Sequence, residues 1–341
     1  MPTLQGLPQE LLEIIFLYSM NISLPRASPD LGLKLSSKAV TMEVVMRTFF
    51  HTVDHKAPAR KQTGTSDVSR QSELLACRFF TWSFFLDYVN KAHDAFINLR
   101  GKAWEKTGVA IPDASYFDGL WPFKFTTINF LSFAEGFLIP EKLLHGPWTE
   151  EKASLLYVLV SLNGEIDWKG SMAGEIAKEG LRTAIAEKNE RAVAALSVLL
   201  GIEKAITTDT IRYAVHSGGC DLNIIRHLLF NAQILYKDTP KDVINFLDPA
   251  LWKWADDRTS SDDHGERLKD MLKKAEKFTL DFYTNGEKDW LKLVPFPYSG
   301  AKFDTRSVFD DIVRELLTRL YQNHGRRITS RGGRRAAQGL A

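Results

Sequence analysis

The chain has 341 residues, more than the ~100–200 usual for one domain, and 44% of them are apolar, so two or three packed units or one elongated helical array are expected. The formal charge of +2 conceals an asymmetry, because five arginines (Arg326, Arg327, Arg331, Arg334 and Arg335) and no acid follow His324. Setting them aside leaves 39 cationic side chains against 42 acids, an acidic body that argues against a nucleic-acid groove there.

The first element in chain order is a short amphipathic helix. Pro8 suits a first helical turn, Glu10 and Glu13 lie near its positive dipole end, and Leu11, Leu12, Ile15 and Phe16 recur at helical spacing. The same two acids interrupt the apolar stretch and no early positive charge precedes it, which is unlike a secretory leader. Two prolines and polar residues occupy positions 21–29, and a second apolar run follows through Leu31, Leu33, Leu35 and residues 40–50, giving two or three short helices with a shared seam. Residues 51–71 turn to Lys, Arg, Thr, Ser and Gly and read as a linker.

From 72 to 100 the positions Leu75, Phe79, Trp82, Phe85 (or Leu86), Val89, His93 and Phe96 keep a three-to-four-residue step, apolar but for His93, which predicts one long helix. Gly108, Pro112, Gly119 and Pro122 then break the pattern in an aromatic connector that runs to 128. Four helical hairpins are expected between 129 and 278. The first pairs 129–137 with 149–162 and closes on Asn163-Gly164 as a left-handed cap. The second pairs 174–187 with 190–200, and the third 208–216 with 222–230. The fourth sets 241–246 plus 249–254 against 264–278. Successive units begin about 30–40 residues apart, the spacing of stacked helical hairpins. Internally, Leu181-Arg182-Thr183-Ala184-Ile185 matches Ile211-Arg212-Tyr213-Ala214-Val215; polar breaks follow both (Glu187-Lys188-Asn189 and Ser217-Gly218-Gly219), then helices with leucine pairs, Leu199-Leu200 and Leu228-Leu229. Residues 279–323, with an amphipathic stretch at 308–321, form a helical cap, and the Arg/Gly-rich 324–341 cannot bury a core.

Leu7-Pro8-Gln9-Glu10-Leu11-Leu12-Glu13-Ile14-Ile15-Phe16 resembles the first helix of an F-box: Leu-Pro, an acid, two leucines, then Ile or Leu three and four residues later. The resemblance covers residues 1–50. It implies a three-helix unit that inserts Leu7, Pro8, Leu11, Leu12, Ile15 and Phe16 into a groove on the small Skp-type adaptor of a cullin ubiquitin ligase, with the acids at the rim. After the first helix the sequence departs from that pattern. Leu35-Ser36-Ser37-Lys38 is a remnant of the usual Val-Ser/Cys-Lys step, and no tryptophan follows, so Val45, Phe49 or Phe50 has to fill its place. The chain is also similar to fungal F-box-like proteins that carry an Arg-Phe-Phe-Thr-Trp step, here Arg78 to Trp82, and end in degenerate ankyrin-like repeats. The hairpins lack the Thr-Pro-Leu-His start of ankyrin repeats, although Leu162-Asn163-Gly164-Glu165-Ile166-Asp167 echoes the ankyrin turn.

Catalytic signals are weak. His51, Asp54 and His55 have helical chelating spacing but sit in a polar segment without a third ligand nearby. Asp262-Asp263-His264 reads as a helix cap. Ser217-Gly218-Gly219-Cys220 lacks the context of a nucleophile elbow, and no Gly-rich phosphate loop is present. Cys77 and Cys220, the only cysteines, each lie in apolar helical patterns and read as free thiols of a reducing compartment. The tryptophans at element ends (Trp121, Trp148, Trp168, Trp252, Trp254 and Trp290) read as packing residues rather than a partner groove.

The sequence therefore predicts an all-α, non-enzymatic interaction protein without cofactor or metal, cytoplasmic or nuclear, with no membrane or nucleic-acid partner. An F-box-like three-helix unit leads into a long helix and an ankyrin-like hairpin array. Resemblance makes it a substrate receptor that joins an adaptor and cullin scaffold to a target protein; the alternative is a stand-alone interaction scaffold.

Overall fold

A run of residues that alternates apolar and polar at helical spacing folds by closing its own backbone hydrogen bonds and burying one stripe. The computed structural model describes residues 4–50, 67–106, 111–118, 120, 128, 130–134, 136–202, 205–235, 244–258 and 263–285. Among them the chain is mostly helical, without strands, and falls into two compact units. The cap at 286–323 and the tail at 324–341 lie outside the described residues, as does the 51–66 part of the linker.

The first unit holds residues 1–120, 126–143 and 162–166. Helix α1 (Gln9–Ser19) packs on α2 (Pro29–Leu35) and α3 (Lys38–Phe49). Ser28 and Ser37 cap the second and third by accepting from Leu31 N at 3.2 Å and Val40 N at 3.2 Å. Phe49 is fully buried at the centre, its ring 4.9 Å from that of Phe133 and 6.1 Å from those of Phe80 and Tyr88. Of the three residues weighed for the missing tryptophan, Val45 and Phe49 are in the core, while Phe50 pairs in an isolated antiparallel bridge with Leu131.

The expected long helix is two. Helix α4 (Val68–Ala76), capped by Asp67, begins four residues before the expected start, and α5 (Trp82–Glu105) follows a break at residues 77–81. Cys77 is extended there, so it ends a helix instead of lying within one. Thr81 Oγ1 accepts from Phe84 N at 3.3 Å and starts the next helix. The break stands because a cation fills it. Lys142 Nζ donates to the Cys77 carbonyl and, at 3.1 Å, to that of Phe80, the acceptors a continuous helix would have used internally.

In the segment 129–137, expected to be a helix, the described residues 130–134 and 136–137 are not helical. Their backbone groups are taken elsewhere: Ser132 N donates to Phe49 O at 2.6 Å. The fully buried Gln71 amide donates to Ser132 O at 2.6 Å and Thr48 O at 3.2 Å while accepting from Ala134 N at 2.8 Å. A buried amide with all three contacts made is a strong local constraint.

In the second unit, α7 (Glu150–Ser161) leads into three hairpins: α8 (Ala173–Ala186) with α9 (Glu190–Ile202), α10 (Thr208–His216) with α11 (Leu222–Leu235), and α12 (Pro249–Arg258) with α13 (His264–Asn285). Helix α6 (Ser115–Asp118), in the first unit, is a single turn. The hairpins stack in two rows, α7, α9, α11 and α13 in one and α8, α10 and α12 in the other. Helix α9 lies at the centre against α7, α8 and α11, which suits a sequence apolar on all sides. Asn163 takes the expected left-handed conformation (φ 77°). The segment 244–246, expected to be helical, is not, and α13 runs past the expected boundary at 278.

The thirty-residue repeat is structural. Leu181, Ala184 and Ile185 are buried as Ile211, Ala214 and Val215 are, and Ala184 O and Ala214 O each accept a turn-closing amide, from Asn189 and Cys220. The leucine pairs are not equivalent, since Leu199-Leu200 lies nearly one turn further along its helix than Leu228-Leu229.

Burial lowers Lys142 from the ordinary lysine value of 10.5 to about 8. Between those values the unfolded chain holds more protons than the folded one, so Lys142 adds stability as pH rises through that window. The unfolding free energy of the wild type minus that of Lys142→Met, from urea titrations at pH 7 and pH 10, should increase by on the order of 1 kcal/mol, a figure already discounted for solvent screening.

Candidate functional site

Helix α1 carries more hydrocarbon than one neighbour can bury. Between Glu10 and Tyr18 only Glu13 is polar. A helix has one inward stripe, and Leu12 and Phe16, one turn apart, occupy it at 0% and 5% exposure. Leu11 (48%), Ile14 (50%), Ile15 (37%) and Tyr18 (82%) are left outward. Those four are spaced i, i+3, i+4, i+7, the anchor pattern of a helix that lies in a partner's groove. Leu4, in the turn before the helix, and Leu33 on α2 are further exposed leucines of the same unit.

The surroundings hold this helix in place. Lys34 Nζ on α2 donates to Gln5 O at 2.9 Å and Leu7 O at 3.2 Å, fixing the entry to α1. At the other end Met20, in the left-handed conformation, donates its N–H to Phe16 O at 2.8 Å. Arg47 on α3 donates to Leu17 O at 2.9 Å and to Glu43 Oε1 at 3.0 Å, and lies over the Tyr18 ring at 6.0 Å. The exposed stripe is therefore pinned at both ends by cations from α2 and α3, and its acidic rim is Glu10 with Glu13, which accepts from Gln9 at 2.8 Å.

Of the six residues singled out in sequence, Pro8, Leu11 and Ile15 are exposed, Leu7 is half-buried, and Leu12 and Phe16 are sealed in the unit's own core. The last two hold the helix and cannot touch a partner. Sequence reasoning missed Ile14 and Tyr18, although counting three and seven residues on from Leu11 finds them. Arg78 to Trp82 falls at the break between α4 and α5, with Phe80 buried and Trp82 stacked on Phe85 at 5.8 Å.

Several of the other singled-out groups pack or hydrogen-bond within the fold. Trp148 Nε1 donates to Thr183 Oγ1 at 3.1 Å, Trp252 Nε1 to Phe246 O at 2.8 Å, and the Trp168 ring packs over Gly174. Trp121 and Trp290 lie outside the described residues, as do His51, Asp54, His55 and Asp262. Asp263 pairs with Arg267 at 2.5 Å. Cys220 is buried in a tight turn with φ 54°. Among the described residues there is no cluster of three His, Cys, Asp or Glu that could hold a metal, and no helix is long and apolar enough to cross a membrane. No family model, curated protein or solved structure matches the chain.

The two faces of α1 should separate cleanly in urea denaturation. Leu12→Ala leaves a cavity and should cost about 2–5 kcal/mol, whereas Leu11→Ala removes exposed surface and should change stability by less than about 0.5 kcal/mol.

Proposed function

We propose that the chain is a non-catalytic receptor subunit of a cullin-type ubiquitin ligase: α1 docks on a small Skp-type adaptor, and the hairpins of the second unit bind a target protein. The observation that carries this reading is the outward stripe Leu11, Ile14, Ile15 and Tyr18, exposed and rigidly held, with Arg47 over only the Tyr18 ring. Monomeric surfaces rarely leave four large apolar side chains in register on one helix unless something covers them. The F-box resemblance of residues 7–16 supplies the kind of partner. The stacked hairpins suit the ankyrin-like reading of the second unit, since such arrays present loops and a broad face to proteins. Transfer of ubiquitin is assigned to other subunits.

On this reading the adaptor anchors are Pro8, Leu11, Ile14, Ile15 and Tyr18, with Leu7 at the edge. Affinity capture of the full chain from cells should recover the adaptor with the wild type and lose it by roughly tenfold or more with Leu11→Asp/Ile15→Asp, because both aspartates would have to be desolvated in an apolar groove. The thermal midpoint should hold, since both sites are exposed. Equal recovery from both proteins removes the ligase reading and leaves a stand-alone scaffold.

A further inference from the structure

The polar breaks that follow the two internal repeats come together in the second unit. The turn between α8 and α9, the loop between α10 and α11 and the first turns of α13 enclose an open cleft of about 420 Å³. Cations enter it from all sides: Lys188 from the first turn, Arg226 from α11, and Arg267 and Lys274 from α13.

The arrangement is built rather than scattered. Lys188 is itself left-handed (φ 54°), and its ammonium reaches toward Gly219, where a Cβ would lie 3.8 Å from Nζ. That ammonium has no ion-pair partner among the described residues. Among the described residues Arg267 and Lys274 pair with carboxylates of their own helix, Asp263 at 2.5 Å and Asp270, itself in the cleft lining, at 2.6 Å. Exposed pairs four residues apart on a helix are weak and screened by water and salt, so both cations can turn to an incoming anion. Asp221 faces the cleft, but its carboxylate caps α11, accepting from Asn223 N at 2.9 Å and Ile224 N at 3.3 Å.

Shape selects among anions. Arg267 and Lys274 lie two turns apart on α13 with Met271 between them, so the cationic edge is about 10 Å long at 1.5 Å per residue. That is the length of about three residues of extended chain at about 3.3 Å each. No aromatic side chain lines the cleft to stack a base.

We infer that this cleft binds an acidic peptide segment in extended conformation, its carboxylates meeting Lys188 on one side and the α13 cations on the other. The inference deepens the proposal that the hairpins recruit a target, and rests on it: the target carries an acidic stretch.

The test is fluorescence anisotropy of the full-length protein with a labelled hexapeptide of alternating Asp and Glu, against the Asn/Gln peptide of the same length and a short oligothymidylate. The acidic peptide should bind saturably and lose affinity as salt rises. Lys188→Glu/Lys274→Glu should weaken it by about tenfold or more, while the charge-matched Lys38→Glu/Lys178→Glu should not, with thermal midpoints unchanged in both. Absence of saturable binding, equal weakening by the two double variants, or tighter binding of the oligonucleotide overturns the inference. Adaptor capture from the same preparations separates it from the docking proposal: recovery of adaptor without peptide binding defeats the cleft alone, and peptide binding without adaptor defeats the docking alone.

Discussion

A helix with apolar side chains on nearly all sides can bury only one stripe against a single layer of neighbours, and the first unit depends on which stripe that is. In α1 the choice falls on Leu12 and Phe16, which face α2 and α3, while Leu11, Ile14, Ile15 and Tyr18 stay in water. Burying a leucine side chain gains about 1.5–3 kcal/mol relative to leaving it exposed. Four large apolar residues in solvent therefore represent several kcal/mol that a partner groove can recover. Lys34, through the Leu7 carbonyl just before the helix, and Arg47, through the Leu17 carbonyl near its end, hold that orientation.

Buried polar side chains decide the conformations that hydrophobic periodicity leaves open. Gln71 prevents a helix at residues 129–137 by supplying hydrogen bonds to an irregular backbone, and Lys142 stabilises a break inside what looks like one continuous amphipathic pattern. In the second unit Asp248, 1% exposed, has the same role. It accepts from Arg212 Nε at 3.1 Å and caps α12 by accepting from Ala250 N and Leu251 N at 3.2 Å. The Arg212 guanidinium holds its carboxyl below the usual carboxylate range. Each joins segments distant in sequence, and in the array the charge-assisted Arg212–Asp248 contact adds to the apolar centre of α9.

The hairpin array was largely legible in the sequence because its helices are bounded by local signals. Helix α10 matches its expected bounds, 208–216, and α8, α9, α11 and α12 start within a residue of theirs. Pro249 and the polar breaks at 187–189 and 217–219 mark those ends without help from tertiary structure. What failed was non-local. The break at 77–81 depends on Lys142, some sixty residues away, and the loss of a helix at 129–137 depends on Gln71; no local pattern reports either. The exposed stripe of α1 was half legible. Residues 7–16 pointed to an amphipathic helix, but that Leu12 and Phe16 are its inward side follows only from the packing of α2 and α3. The cationic cleft was hidden because its residues come from three elements between positions 188 and 274.

The account turns on α1 having one sealed face and one face free for an adaptor, and thiol reactivity reads both in a single measurement. Single cysteines replacing Leu11, Leu12, Ile15 and Phe16, in a chain with Cys77 and Cys220 changed to serine and alanine, are labelled with a maleimide alone and with purified adaptor present. The account predicts fast labelling at positions 11 and 15 that the adaptor suppresses, and slow labelling at 12 and 16 in both conditions. Labelling at 11 and 15 as slow as at 12 and 16 in the free protein, or unchanged by the adaptor, contradicts it.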